Sequence, residues 1–202
     1  MTAAPRIVLA SASPRRADIM RQIGLDPEVT PADVDETYLP GETPAEHVER
    51  LARTKADAVA RTSPGALVVG GDTVVVRDGE VLVKPADAAE ARAMLRGLAG
   101  RAHDVLSGIA LAGPHGTVSA VTRTRVWMRP FDDGVAAAYV ATGEPLDKAG
   151  AYGIQGGGAA LVERIDGDYY SVVGFPVAAF LDLLERAGWR FAFGAPTRLD
   201  PV

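Results

Sequence analysis

Short, densely apolar runs alternate along this chain with apolar stripes of helical period, a pattern that predicts an α/β protein. Arg6 to Ala10 read as a short buried strand leading into a helix capped at Ser13, with Pro14 at its first position and Gly24 at its end. Pro31 to Glu36 read as a strand end and loop. Thr43-Pro44-Ala45-Glu46 is a capping box, and the helix it opens aligns Val48, Leu51, Ala52 and Val59 with Lys55 in the same stripe. Ala66 to Val76 is an apolar strand interrupted by Gly70-Gly71-Asp72-Thr73. Asp78-Gly79 then turns a hairpin into Val81-Leu82-Val83, ahead of Lys84-Pro85. Asp87 to Glu90 start a third helix with Met94, Leu95 and Leu98 inward, and two strands follow at about Asp104–Ala112 and Val118–Met128. In the second of these, Arg123, Arg125, Trp127 and Arg129 alternate with Thr122, Thr124, Val126 and Met128, as on a half-solvated sheet face. A short helix near Val135–Ala141 precedes a glycine-rich stretch from Thr142 to Gly158. Asp166-Gly167 is read as a hairpin turn between strands Leu161–Ile165 and Tyr169–Val173, and Gly174-Phe175-Pro176 starts a last helix with Val177, Phe180, Leu181 and Leu184 inward.

The 202 residues contain no internal repeat and no clean linker, which suits one domain, here taken as 1–202 in two lobes. With 48% hydrophobic and 23% charged residues the chain can bury a real core. A net charge of −5 argues against a nucleic-acid binder. The absence of cysteine excludes disulfide and thiolate chemistry, and no pair among His47, His103 and His115 has zinc-ligand spacing. Neither a signal-peptide pattern nor a membrane-length apolar run is present, so a cytoplasmic protein that engages no membrane is expected.

Several charged residues resist a purely structural account. Arg15 and Arg16 fall in the first turn of the Ser13 helix, where the macrodipole is already positive; either an anion sits between them or both splay into solvent. Lys55 either snorkels out of its apolar stripe or aims into a cleft. Asp72, inside an apolar strand after two glycines, is either a hydrogen-bonded residue at a bulge or a functional carboxylate. The Thr142–Gly158 stretch is too long for a plain connector, yet it matches neither a dinucleotide-binding fingerprint nor a Walker A loop. Should Arg15, Arg16, Lys55, Lys84 and Lys148 meet Glu36, Asp72 and Asp147 in one cleft, the set would suit a polyphosphate carried with a divalent metal, Mg²⁺ being the natural choice for oxygen ligands.

Six motifs in order, Ser11-Ala12-Ser13-Pro14-Arg15-Arg16, Asp33-Val34-Asp35-Glu36-Thr37, Leu51-Ala52-Arg53-Thr54-Lys55-Ala56, Gly71-Asp72-Thr73, Asp78-Gly79-Glu80 with Lys84-Pro85, and Asp147-Lys148-Ala149-Gly150-Ala151-Tyr152-Gly153-Ile154-Gln155-Gly156, resemble the Maf family of nucleoside triphosphate pyrophosphatases. The resemblance implies a long mixed sheet flanked by helices, two lobes with a central cleft, and hydrolysis of a nucleoside triphosphate to monophosphate and pyrophosphate with Mg²⁺ or Mn²⁺. It makes Asp72 the expected proton acceptor, Glu36 a metal ligand together with Asp72 or a partner base, and Lys55 and Lys84 phosphate-binding cations. Ser11, Ser13 and Arg16 would cradle phosphates, and Lys148 would join them in binding substrate. Arg15, Thr73 and Gln155 match the signature of the dTTP/UTP-directed members, where those acting on 7-methyl-GTP carry Trp, Gln and Glu. A neutral Gln amide both donates and accepts, as a pyrimidine edge does. Gly71 departs from the alanine or serine often found there, and Gly157 and Gly158 add glycines to the loop. A homodimer is a further expectation from the family, and a nucleotide-binding regulator of cell division without turnover is the rival reading.

Overall fold

The computed structural model describes residues 4–199. In chain order the elements are β1 (Ile7–Leu9), α1 (Pro14–Gln22), β2 (Glu28–Val29), α2 (Pro44–Ala60), β3 (Leu67–Arg77), β4 (Glu80–Leu82), α3 (Ala88–Leu98), β5 (Ala102–Gly113), β6 (Gly116–Met128) and α4 (Asp133–Ala141). Three 3₁₀ turns follow at Glu144–Asp147, Ala149–Ala151 and Gly157–Leu161, and then β7 (Val162–Asp166), α5 (Tyr169–Val173), α6 (Val177–Arg186), β8 (Trp189–Arg190) and β9 (Thr197–Arg198). Seven strands form a mixed sheet in the order β2-β1-β3-β5-β6-β7, with β4 also paired to β3, while β8 and β9 form a separate ribbon. β1 is parallel to both β2 and β3, and β4 and β7 run antiparallel to their partners. The expected mixed sheet flanked by helices is thus present. No helix among the described residues is long and apolar enough to cross a membrane.

The chain divides into two compact units. Among the described residues, one takes 4–72, Ser107–Thr122 and 174–199; the other takes Thr73–Leu106 and Arg123–Val173. In the first unit β1 is buried along its length, which is why Ile7-Val8-Leu9 shows no alternation. Val8, Ala10, Val68, Ala110 and Ala112 pack with Ala52, Ala56 and Val59 of α2, all buried. The small side chains bring the helix close to the sheet, and two glycines bring it closer still. A Cβ on Gly70 would lie 2.1 Å from the Ala52 carbonyl oxygen, and one on Gly108 would lie 2.1 Å from that of Val48. α2 itself begins with the expected capping box, Thr43 Oγ1 accepting from Glu46 N while the Glu46 carboxylate accepts from Thr43 N. In the second unit α3 and α4 enclose a core that includes Leu95, Leu98, Val105, Met128, Tyr139, Tyr152 and Ile154.

Local signals placed most elements within a few residues, with four differences. Gly70-Gly71-Asp72-Thr73 does not interrupt its strand: β3 runs unbroken from Leu67 to Arg77. β4 stops at Leu82, leaving Val83 outside it, and Asp78 and Gly79 both take positive φ (52° and 86°), as a tight hairpin turn requires. The Ser13 side chain makes no cap hydrogen bond, so Ser13 caps α1 by backbone position only. Tyr169–Val173 is a short helix, and β7 pairs with β6 instead of turning into a further strand. There the Asp168 side chain accepts from Tyr170 N at 2.8 Å, and the buried Ser171 hydroxyl donates to the Asp168 carbonyl at 3.0 Å. These local bonds outweigh the strand preference of Tyr and Val.

Candidate active site

Four elements of the first unit each deliver one charged group to the same place. α2 carries Lys55 between Ala52 and Ala56, two residues with no exposed surface. The lysine does not snorkel; its side chain is 8% exposed, and its Nζ lies 2.7 Å from Glu36 Oε1 and 2.9 Å from Asp72 Oδ1. Two carboxylates from distant parts of the chain therefore share one ammonium, which compensates the burial of Asp72, itself 13% exposed. Glu36 reaches the lysine from a loop and remains 60% exposed.

α1 supplies the second cation. Arg16 is buried, its Nε donating to the Gly174 carbonyl at 2.9 Å and its Nη1 to Ser11 Oγ at 2.9 Å. Ser11 Oγ also accepts from Ser13 N at 3.2 Å. Burial lowers the Arg16 pKa; the negative charges of Asp72 and, more weakly, Glu36 oppose that shift, while Arg15 adds to it. Arg16 therefore does not splay into solvent. Its guanidinium lies over Gly71, whose added Cβ would sit 3.4 Å from Arg16 Nε. Arg15 is half-buried beside it.

Sequence reasoning missed what holds the Glu36 loop. Glu42 accepts from Arg50 Nε at 2.5 Å, from Arg50 Nη2 at 2.8 Å and from Leu39 N at 3.1 Å, and its Oε2 lies 2.9 Å from His47 Nδ1. Arg50 also donates to the Thr37 carbonyl at 3.0 Å. The Arg50 and His47 bonds hold the Glu42 pKa far below the ordinary carboxylate range, against the opposing effect of burial. Tyr38 stacks flat on His47, with ring centroids 3.5 Å apart. The Tyr38 hydroxyl is buried with no hydrogen-bond partner among the described residues, and burial, with Asp72 and Glu42 adding to it, pushes its pKa up to about 12. The one signal for this strap in the sequence was His47 and Arg50 three residues apart on one helix face.

The remaining expected residues belong to the second unit. Thr73 follows Asp72 on β3 and is half-buried, and Lys84 is exposed just beyond β4. Lys148 is engaged within its own loop, donating to the Glu144 carbonyl and to Asp147 Oδ1, each at 2.6 Å. Gln155 is exposed at the tip of a turn whose neighbours Tyr152 and Ile154 are buried. Among the described residues no three His, Cys, Asp or Glu side chains group closely enough to hold a metal ion by themselves.

A mixed sheet bearing paired carboxylates on a shared lysine, beside a buried arginine at a helix start, defines an α/β protein with a charged centre built from distant segments. The chain belongs to the Maf family: the family model described as Maf-like protein matches residues 6–187. A Geotalea uraniireducens (strain Rf4) protein named dTTP/UTP pyrophosphatase is 48% identical over 190 residues, covering 93% of this chain and 98% of its own. A Symbiobacterium thermophilum protein of the same name is 50% identical over 184 residues, covering 91% and 95%. A solved HAM1 protein from Coxiella burnetii is similar at 20% identity and a TM-score of 0.43, over 61% of this chain and 73% of its own.

Proposed function

We propose that this protein hydrolyses dTTP and UTP to the nucleoside monophosphate and pyrophosphate. The observation that carries the reading is the Lys55 ammonium shared by Glu36 and Asp72 beside buried Arg16. Two relatives at 48% and 50% identity that bear the name of this activity support it.

In this reading the Asp72 carboxylate accepts a proton from a water molecule. The water oxygen bonds to the α-phosphorus, the bond from that phosphorus to the oxygen bridging to the β-phosphate breaks, and pyrophosphate leaves. Lys55 fixes the direction of both carboxylates, and Arg16, at the positive end of the α1 dipole, offers positive charge to phosphate oxygens. Glu36 and Asp72 fit a divalent ion of the Mg²⁺ type, which binds through one or two carboxylates and completes its shell with water and phosphate oxygens. Bound there, Mg²⁺ or Mn²⁺ would neutralise charge on the phosphates. The roles of Ser13, Lys84 and Lys148 in binding phosphate, and of Arg15, Thr73 and Gln155 in selecting the base, rest on the family motifs. Gln155 has the chemistry for a pyrimidine edge, since its amide donates and accepts.

The test is product analysis with Mg²⁺ or Mn²⁺ on dTTP, UTP, CTP, ATP, GTP and 7-methyl-GTP, run beside Asp72→Asn. Pyrophosphate released chiefly from dTTP and UTP, and lost in the variant, is the expected result. Release chiefly from another base would retain the reaction and overturn the base assignment. Binding without turnover of any triphosphate would favour the regulator.

A further inference from the structure

The turn that presents Gln155 has its two ends fastened to one carboxylate–phenol pair. Glu144 Oε2 accepts from Gly157 N at 2.8 Å, and Glu144 Oε1 accepts from Gly158 N at 3.3 Å and from the Tyr139 hydroxyl at 2.8 Å. The same Tyr139 oxygen accepts from Gly153 N at 3.1 Å. Between these anchors, Gly156 N donates to the Gly153 carbonyl at 3.3 Å and closes the turn over Ile154 and Gln155. Ile154 is buried and Gln155 is exposed, so the turn is held from beneath and shows one polar side chain outward.

The pair also accounts for the glycines of this loop. A Cβ on Gly156 would lie 2.4 Å from Glu144 Oε1, one on Gly157 3.1 Å from Glu144 Oε2, and one on Gly158 2.6 Å from the Tyr139 hydroxyl oxygen. Backbone must approach the carboxylate this closely for its N–H groups to be bound, and side chains there would prevent it. Burial alone would raise the Glu144 pKa. The Tyr139 hydroxyl, the two glycine N–H groups and nearby Lys148 outweigh burial and hold the group below its ordinary value, as a carboxylate able to accept all three bonds. None of these bonds is to a catalytic candidate; all of them converge on the segment around Gln155.

We propose that Glu144, with Tyr139, is a positioning residue for base selectivity, holding the Gln155 turn so that the amide meets the nucleobase edge in one orientation. The inference rests on the reading of Gln155 as the base-contacting residue. A Gln at 144 cannot replace the carboxylate, because its NH₂ group would face one of the backbone N–H groups that the carboxylate now satisfies. A loosened turn lets the amide reorient and lose its preference among bases, while the groups on α1, α2 and β3 are untouched.

The experiment measures kcat and KM for dTTP, UTP and CTP with Mg²⁺ in wild type, Glu144→Gln, Tyr139→Phe, Gln155→Ala and the Glu144→Gln/Gln155→Ala double variant. Tyr139→Phe removes one hydroxyl and leaves the ring packed, so it reports even where Glu144→Gln is poorly folded. The expected result is a fall in the dTTP-to-CTP ratio of kcat/KM of about fivefold in Tyr139→Phe and about tenfold or more in Glu144→Gln, carried by KM. The double variant should be no less selective than Gln155→Ala alone. A purely structural Glu144 would lower kcat for all three nucleotides alike and leave the ratio at its wild-type value. That result, with selectivity lost in Gln155→Ala, overturns the positioning role and leaves the proposed function standing. Wild-type selectivity in Gln155→Ala, or a wild type without turnover, overturns the underlying reading and this inference with it.

Discussion

Replacing Gly70 with alanine adds one methyl group, and the structure allows its consequence to be worked out. The new Cβ would lie 2.1 Å from the Ala52 carbonyl oxygen, 2.7 Å from Ala56 N and 3.0 Å from Ala56 Cβ. The first two are backbone atoms of α2, so no rotamer change relieves the clash, and the helix must retreat by about 1 Å to restore normal contact. Overpacking of this kind costs about 1–3 kcal/mol, a fall in Tm of roughly 3–10 °C for a chain of this length. Lys55 lies between Ala52 and Ala56 on the moving turn, and its 2.9 Å bond runs to Asp72, two residues beyond Gly70 on β3. A displacement of about 1 Å at that bond is expected to lower turnover about 100-fold. Gly71→Ala is the matched control. Its Cβ would meet Gly108 O at 3.3 Å and Arg16 Nε at 3.4 Å, which needs only slight adjustment, so Tm and turnover should stay close to wild type. Thermal unfolding and pyrophosphate release from dTTP, measured on both variants, test the reasoning. Gly70→Ala indistinguishable from Gly71→Ala would refute it.

Gly108→Ala should resemble Gly70→Ala, because its Cβ would lie 2.1 Å from the Val48 carbonyl oxygen; a wild-type Tm would count against close helix–sheet contact there. Lys55→Met leaves Glu36 and Asp72 facing each other without their shared cation, and pyrophosphate release should fall about 100-fold or more; turnover within twofold of wild type would remove Lys55 from the site. Burial lowers the His103 pKa from 6.5 to about 4, against the opposing charge of Asp104, so between these values the unfolded chain binds a proton that the folded chain does not. Stability is fully present above pH 6.5 and is lost as the pH falls towards 4, by about 3 kcal/mol. His103→Gln should flatten denaturant-derived stability over that interval, and an unchanged pH profile would exclude His103 as its source. Glu42→Gln weakens the strap to Arg50 and His47, and hydrogen exchange at the Leu39 amide should quicken; exchange at the wild-type rate would show that the strap does not hold this loop.

Features governed by neighbouring residues were legible in the sequence alone. The Thr43–Glu46 capping box and the Asp78-Gly79 turn depend on backbone groups a few residues away, and the apolar stripe of α2 follows from helical period. The ordered motifs also singled out Glu36, Lys55 and Asp72. What Lys55 touches was not legible: one carboxylate comes from a loop preceding α2 and the other from the strand after it, and residue spacing carries no distance between them. In the sequence Gly70 reads as a break in a strand; in the fold it is the point where the backbone of α2 presses against β3. Tyr169–Val173 carried a local strand preference that the bonds of Asp168 and Ser171 overrode. Glu144 gave no sign of its task, because its partners Gly157 and Gly158 lie thirteen and fourteen residues away, across an irregular loop. Sequence by itself determined where α1, α2 and α3 and the Asp78-Gly79 turn begin, and which charged residues were out of place. Tertiary structure decided which charges meet and why glycines stand where they do, because both depend on contacts between segments far apart in the chain.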